Sequence, residues 1–243
     1  MADLPLLLLP GLMCDRAAWS DTIAALSGNP AVPDYGEADT LGGMAERVLA
    51  AAPPRFAVAG HSMGGRVALE VFRRTPERVA GLALLDTNHT PRAAGEAGAR
   101  EERERMALLA IARRSGTRAM AESWVKGMVH PSRLAEPALI GAILDMFARK
   151  SADIFAAQIR ALLARPDAAP LLRALRCPAL VLCGREDTWA PVPRHEEMAA
   201  MIAGSELVVV DRCGHMAPME RPREVAAALV RWQARIAARR AAA

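Results

Sequence analysis

Short apolar runs alternate along the chain with stretches in which apolar positions recur at helical spacing. Leu4–Leu9, closed by Pro10 and Gly11, reads as a buried strand. Arg16–Leu26 predicts a helix, and the turn-rich Gly28–Gly36 leaves room for a short strand around Ala31–Tyr35. Thr40 stands as an N-cap before a helix that runs to Ala51 and is stopped by Pro53-Pro54. Phe56–Ala59 then predicts a strand, Met63–Arg74 a helix and Val79–Leu85 a strand. Strand, helix, strand in strict alternation predicts an α/β fold: a mostly parallel sheet with helices on both faces.

The alternation breaks after Val79–Leu85. From about Asn88 to Leu175 helix follows helix, with breaks near Gly116, Pro131, Pro137 and Pro166. It resumes with a strand at Ala179–Leu182, a helix around Glu196–Ile202, a strand at Leu207–Val210 and a terminal helix from Pro222 to about Arg240. An insert of roughly 80 residues between two strands is far longer than an ordinary connection and predicts a helical lid over the C-terminal edge of the sheet. The expected division is a core of residues 1–88 and 171–243 and a lid of 89–170. No internal repeat is visible.

Composition narrows the functional classes. The chain has 243 residues, of which 52% are hydrophobic and 24% charged, enough for one sizeable core. The opening Met1–Pro10 has no basic residue, carries Asp3 and is broken by Pro5 and Pro10, so it reads as a strand and not as a secretion signal. No window of about 18 apolar residues suits a membrane span. Cys14, Cys177, Cys183 and Cys213 are scattered without a CxxC pair, which fits reduced thiols and a cytoplasmic location. The net charge is +4, but all of the 31 basic residues except Lys126 and Lys150 are Arg, interleaved with Glu as in Ala99–Arg105. That is a solvated helix face, and with four Trp, one Tyr and four Phe there is no basic–aromatic groove for nucleic acid. The expected partner is a small molecule, with neither nucleic acid nor membrane; oligomeric state is left open.

The sharpest chemical signal is Gly60-His61-Ser62-Met63-Gly64-Gly65. A strand precedes it and a helix follows, the placement a nucleophile elbow requires; the competing reading is a glycine-rich turn with a buried serine. Side chains at positions 60 and 64 would collide with neighbouring backbone in so tight a turn. The Met63 N–H lies at the start of the following helix, where the dipole favours an oxyanion.

A serine hydroxyl needs a base and a group that orients the base. His215, in Cys213-Gly214-His215-Met216 just beyond the last strand, lies where ligands meet open α/β sheets, whereas a lone loop histidine is otherwise a surface residue. His61 reads as structural, and His89, His130 and His195 receive no role. Asp187, in Gly184-Arg185-Glu186-Asp187, follows the strand Ala179–Leu182 and can accept from the His215 Nδ1–H. Its neighbour Glu186, and Asp86 at the end of the preceding strand, remain alternatives. A second oxyanion donor is expected from Leu12, because Pro10-Gly11-Leu12-Met13 follows the first strand; a plain turn is the competing reading. Met13, Arg66, Trp189 and Met216 are candidate substrate-binding residues, although most methionine is core filler and Arg66 also reads as a surface residue of its helix. No HExxH, paired cysteines, P-loop or GxGxxG supports a metal or a cofactor, and none is expected.

With these motifs on the page the chain resembles the α/β-hydrolase superfamily, in its compact, small-lid bacterial form. The likeness spans nearly the whole length through Leu8-Leu9-Pro10-Gly11-Leu12-Met13, GHSMGG, GREDTWAP and CGHMAPMERP, with Ser, Asp and His in that chain order. It implies Ser62 as nucleophile, His215 as base, Asp187 as its orienting acid and the Leu12 and Met63 N–H groups as oxyanion hole. Two departures stand out: Pro10-Gly11 replaces the family's His-Gly, and the first strand begins so early that a reduced sheet of about six strands is expected. The resemblance implies hydrolysis of a small carboxylic ester or lactone. Compact relatives also use these residues for carbon–carbon cleavage or elimination on anionic substrates, and the fold also serves non-catalytic ligand binding.

Overall fold

The computed structural model describes residues 4–26 and 28–242, so the Met1–Asp3 part of the opening run lies outside it. Among the described residues five strands form one parallel sheet in chain order: β1 (Leu6–Leu9), β2 (Phe56–His61), β3 (Val79–Leu85), β4 (Ala179–Gly184) and β5 (Glu206–Val210). Every position of β1 to β4 is buried, odd and even alike, so both faces of the sheet are covered. β5 is the half-exposed edge, where Glu206 pairs with Arg231.

The strand expected around Ala31–Tyr35 is reduced to one bridge, Ala31 with Leu7, on the side of β1 away from β2. Pro30 and Pro33 flank Ala31 and cannot donate to a ladder, which stops the strand from extending. That bridge still marks where the chain changes direction: it runs outward past β1 and then returns to β2 on the other side. The crevice between the ends of β1 and β2 is therefore the natural ligand position.

The Arg16–Leu26 stretch is a 3-10 turn (Arg16–Trp19), capped by Asp15, followed by the short α1 (Ser20–Ala24). α2 (Leu41–Ala51) starts at Thr40, whose side chain accepts the Gly43 N–H. α3 (Met63–Arg74) lies against β1, β2 and β3 with α2 behind it. Four helices fill the connection from β3 to β4: α4 (Gly95–Trp124), α5 (Pro137–Ala148), α6 (Ala152–Leu163) and α7 (Ala169–Ala174). α4 kinks at Gly116, whose φ of 89° lies in the left-handed region, at the break expected from sequence. Trp124 packs its ring 6.0 Å from those of both Phe147 and Phe155, giving this helical insert its own apolar centre. α8 (Val192–Met201) begins earlier than expected because Pro193 fits its first turn. After the short α9 (Ala217–Glu220), α10 (Pro222–Ala241) packs on β3, β4 and β5, with Trp232 and Ile236 fully buried beneath it. No described helix is long and apolar enough to cross a membrane.

Candidate active site

All five strands run the same way, so their C-terminal ends deliver five loops to one edge. The turn after β2 carries Ser62 with φ 54° and ψ −117°, a strained backbone for a residue bearing a Cβ. The strain is imposed by packing: a Cβ on Gly64 would run into the Leu9 and Pro10 carbonyls, and one on Gly60 into the Gly64 backbone. The Ser62 carbonyl accepts the Thr87 hydroxyl at 2.7 Å, and the Thr87 N–H donates to His195 Nε2 at 3.1 Å. His195 thus lies behind the elbow, although its sequence context gave it no role. Burial pushes its pKa down to about 4, which keeps that nitrogen free to accept.

His215 Nε2 lies 2.8 Å from Ser62 Oγ, and His215 Nδ1 lies 2.8 Å from Asp187 Oδ2. Asp187 Oδ1 accepts the Trp189 and Ala190 N–H groups at 2.9 and 3.0 Å. Burial alone would raise the Asp187 carboxyl, but the facing His215 and these two amides outweigh it and hold the pKa below its ordinary value. The two alternative acids sit elsewhere. Glu186 accepts the Cys213 N–H at 2.9 Å, and Asp86 accepts the Gly184 N–H at 2.9 Å. Burial, with Asp187 nearby, pushes the Asp86 carboxyl well above the usual carboxylate range. His61 donates from Nε2 to the His215 carbonyl at 2.7 Å, and burial pushes its pKa down to about 3.

The loop after β1 packs directly on the elbow, where a Cβ on Gly11 would stand 3.3 Å from that of Ser62. Leu12 follows on this loop, and Met63 opens α3 beside Ser62. Met13, with φ 60°, donates its N–H to Gln158 Oε1 of α6 at 2.8 Å. A cavity of about 400 Å³ opens over Ser62 and His215 and reaches under the insert. Leu12, Arg66, Trp189 and Met216 line it; Met13 does not, its side chain being fully buried in the core. Trp189, 38% exposed, stacks on Trp124 at 5.1 Å and tilts over His215 at 4.9 Å.

Arg66 is not on the surface. It is 4% exposed, and its guanidinium donates to the Pro166 carbonyl at 3.3 Å and to the Thr90 carbonyl, at the two ends of the insert. No carboxylate lies within ion-pair distance of it among the described residues. Burial, with Arg165 nearby, pulls its pKa down to about 9.

Sequence reasoning missed Gln158, Thr87 and Glu220. Gln158 leaves the clearest trace, a lone amide within the otherwise apolar face of α6 that is 1% exposed. A hydroxyl, an imidazole and a carboxylate in series, with backbone N–H groups close by, can transfer a proton from serine and stabilise charge on an attacked carbonyl.

The chain is 28% identical over 219 residues to a pimeloyl-[acyl-carrier protein] methyl ester esterase of Neisseria meningitidis, spanning 88% of this chain and 83% of that one. It is 31% identical over 169 residues to a 2-hydroxy-6-oxononadienedioate/2-hydroxy-6-oxononatrienedioate hydrolase of Klebsiella pneumoniae, spanning 66% of this chain and 56% of that one. Among solved structures, a thermophilic esterase from Thermogutta terrifontis superposes with a TM-score of 0.83 at 28% identity, over 97% of this chain and 91% of that one. The model of the alpha/beta hydrolase family matches residues 6–228, strands, elbow and insert together. The sheet with its serine turn is thus shared along almost the whole chain, which belongs to the alpha/beta hydrolase family of enzymes.

Proposed function

We propose that the protein hydrolyses a small carboxylic ester or lactone through an acyl-enzyme on Ser62. The observation that carries this reading is the pair of 2.8 Å contacts made by His215, to Ser62 Oγ on one side and Asp187 Oδ2 on the other. His215 Nε2 takes the hydroxyl proton as Ser62 Oγ bonds to the carbonyl carbon. The same proton passes to the leaving alcohol oxygen as the ester C–O bond breaks. Water then attacks the acyl carbonyl carbon as His215 takes its proton, and the same proton passes to Ser62 Oγ as its bond to the acyl carbon breaks and the acid leaves. Asp187 accepts from Nδ1–H, fixing the tautomer that leaves Nε2 facing the serine. The N–H groups of Leu12 and Met63 are assigned to the oxyanion, and the insert to the role of a lid over the cavity. The four free cysteines fit a cytoplasmic enzyme.

Arg66 favours a second reading, in which the substrate carries an anionic group. A buried guanidinium without a carboxylate partner is costly, and a ligand carboxylate in the cavity would compensate it. The 2-hydroxy-6-oxononadienedioate hydrolases among the relatives are named for a dicarboxylate substrate, and the methyl ester esterase supports the ester reading.

Steady-state hydrolysis of p-nitrophenyl acetate, butyrate and octanoate by wild type and Ser62→Ala tests the proposal. Loss of at least about 10³-fold in rate is expected. Equal turnover by both proteins would overturn it. Arg66→Met should lower kcat/KM for an ester ending in a carboxylate far more than for its neutral analogue; an equal effect on both removes the anionic reading.

A further inference from the structure

The loop that carries His215 has no ladder or helix to satisfy its backbone, so each N–H must find an acceptor elsewhere. The four N–H groups from Cys213 to Met216 all do. Cys213 donates to Glu186 Oε2 at 2.9 Å, Gly214 to Glu220 Oε1 at 2.9 Å, and His215 to the Met128 carbonyl at 2.8 Å. Met216 is shared between the Met128 carbonyl and Glu220 Oε1, both at 3.2 Å. The other oxygen of Glu220 accepts the His130 N–H at 2.7 Å. One carboxylate therefore holds the residues on both sides of His215 and fastens them to the Met128–His130 turn of the insert.

We infer that Glu220 is a positioning residue for His215, setting the imidazole between Ser62 and Asp187 by clamping its loop to the helical insert. The inference rests on the reading of Ser62 and His215 given above.

The chemistry of the clamp explains why a glutamate stands there. Glu220 is 2% exposed, and its carboxylate has no ion-pair partner among the described residues; Arg133 donates to its backbone carbonyl instead. Burying an unpaired carboxylate is unfavourable unless hydrogen bonds satisfy it, and here three amides do. A glutamine in the same place would keep one acceptor oxygen for Gly214 and Met216 but turn its NH₂ toward the His130 N–H. An aspartate would keep the charge and fall one methylene short. A shift of the imidazole by about 1 Å breaks alignment with the serine and costs on the order of 10²-fold in rate.

The test compares wild type with Glu220→Ala, Glu220→Asp and Glu220→Gln. In Glu220→Ala and Glu220→Asp, Ser62 should react with a fluorophosphonate at least about 30-fold more slowly, and kcat on p-nitrophenyl butyrate should fall in step, with KM changed less than about threefold. Glu220→Gln, which keeps the acceptor for Gly214 and Met216 but loses the His130 anchor, should fall between, about 5- to 10-fold below wild type. The low-field proton resonance of His215 Nδ1–H, facing Asp187, should persist in wild type and Glu220→Gln and vanish in Glu220→Ala and Glu220→Asp. Aspartate is close in size and charge to glutamate, so it answers if the alanine variant does not fold. Wild-type labelling and an intact resonance in folded Glu220→Asp would overturn the assignment. The resonance needs no chemistry at Ser62. A wild type that shows it but takes up no phosphonate would therefore sink the hydrolase reading, leaving Glu220 to be judged by the variants' spectra.

Discussion

The sheet and the helical insert contribute to the candidate site in different ways. The side chains with reactive chemistry, Ser62, Asp187 and His215, all come from loops at the ends of β2, β4 and β5. The insert contributes polar contacts around them: the Gln158 amide oxygen on the Met13 N–H of the loop after β1, the Met128 carbonyl on the His215 N–H and the His130 N–H on Glu220 of α9. Their packing differs as well. β1 to β4 are buried throughout, whereas α4 spends much of its surface on ion pairs such as Arg92–Glu102 and Arg105–Glu101. The core strands thus leave no room for added atoms, whereas the insert has open positions on its surface, such as Gly141.

Adding one methyl group to each region gives the sharpest contrast. Gly64→Ala should destabilise the fold by about 3 kcal/mol or more, because the new Cβ meets rigid backbone of β1 and the loop beyond it. A denaturant titration that finds Gly64→Ala as stable as wild type would contradict this packing. A narrower effect is expected from Gln158→Leu, which strands the buried Met13 N–H and frees the loop beside Leu12. Its kcat should fall about 10- to 100-fold with little change in the melting of the core. Unchanged kcat would show that the insert does not shape that loop.

Acid should act on the core first. His195 and His61 are held neutral by burial, with pKa values pulled from 6.5 to about 4 and about 3. Below pH 6.5 the unfolded chain takes up protons that the folded chain refuses. Stability from these groups is therefore full above pH 6.5, falls as pH drops toward 4 and then 3, and levels off below. Thermal melts from pH 8 to pH 3 read this slope, and His195→Gln, which keeps an acceptor for the Thr87 N–H, should flatten its upper part. The smallest effect belongs to the insert. Gly141→Ala, inside α5 with open space around it, should stabilise by about 0.5–1 kcal/mol.

The same contrast explains what could be read before the structure. Periodicity located the buried strands because a parallel sheet covered on both faces leaves unbroken apolar runs, as in Val79–Leu85. Motif position placed Ser62, Asp187 and His215 at one sheet edge because strand ends share a direction. The reduction of the Ala31 strand to a single bridge depends on Pro30 and Pro33, whose lack of an N–H stops a ladder that the apolar residues between them would otherwise suit. Arg66 was open between surface and site because periodicity within α3 does not show what covers its far end. The Met128 carbonyl and the His130 N–H left no trace at all, since every residue has a carbonyl and nearly every one an N–H. Glu220 was visible as a letter in CGHMAPMERP, but its partners are backbone atoms brought together only by folding.

The most direct test of the central claim is to treat the protein with a fluorophosphonate and map the modified peptide by mass spectrometry, in wild type, Ser62→Ala and His215→Gln. The account predicts a single phosphonyl group on Ser62 in wild type, none in Ser62→Ala, and labelling slowed at least about 10³-fold in His215→Gln. A wild type left unmodified, or modified at another residue at the same rate in all three proteins, would contradict it.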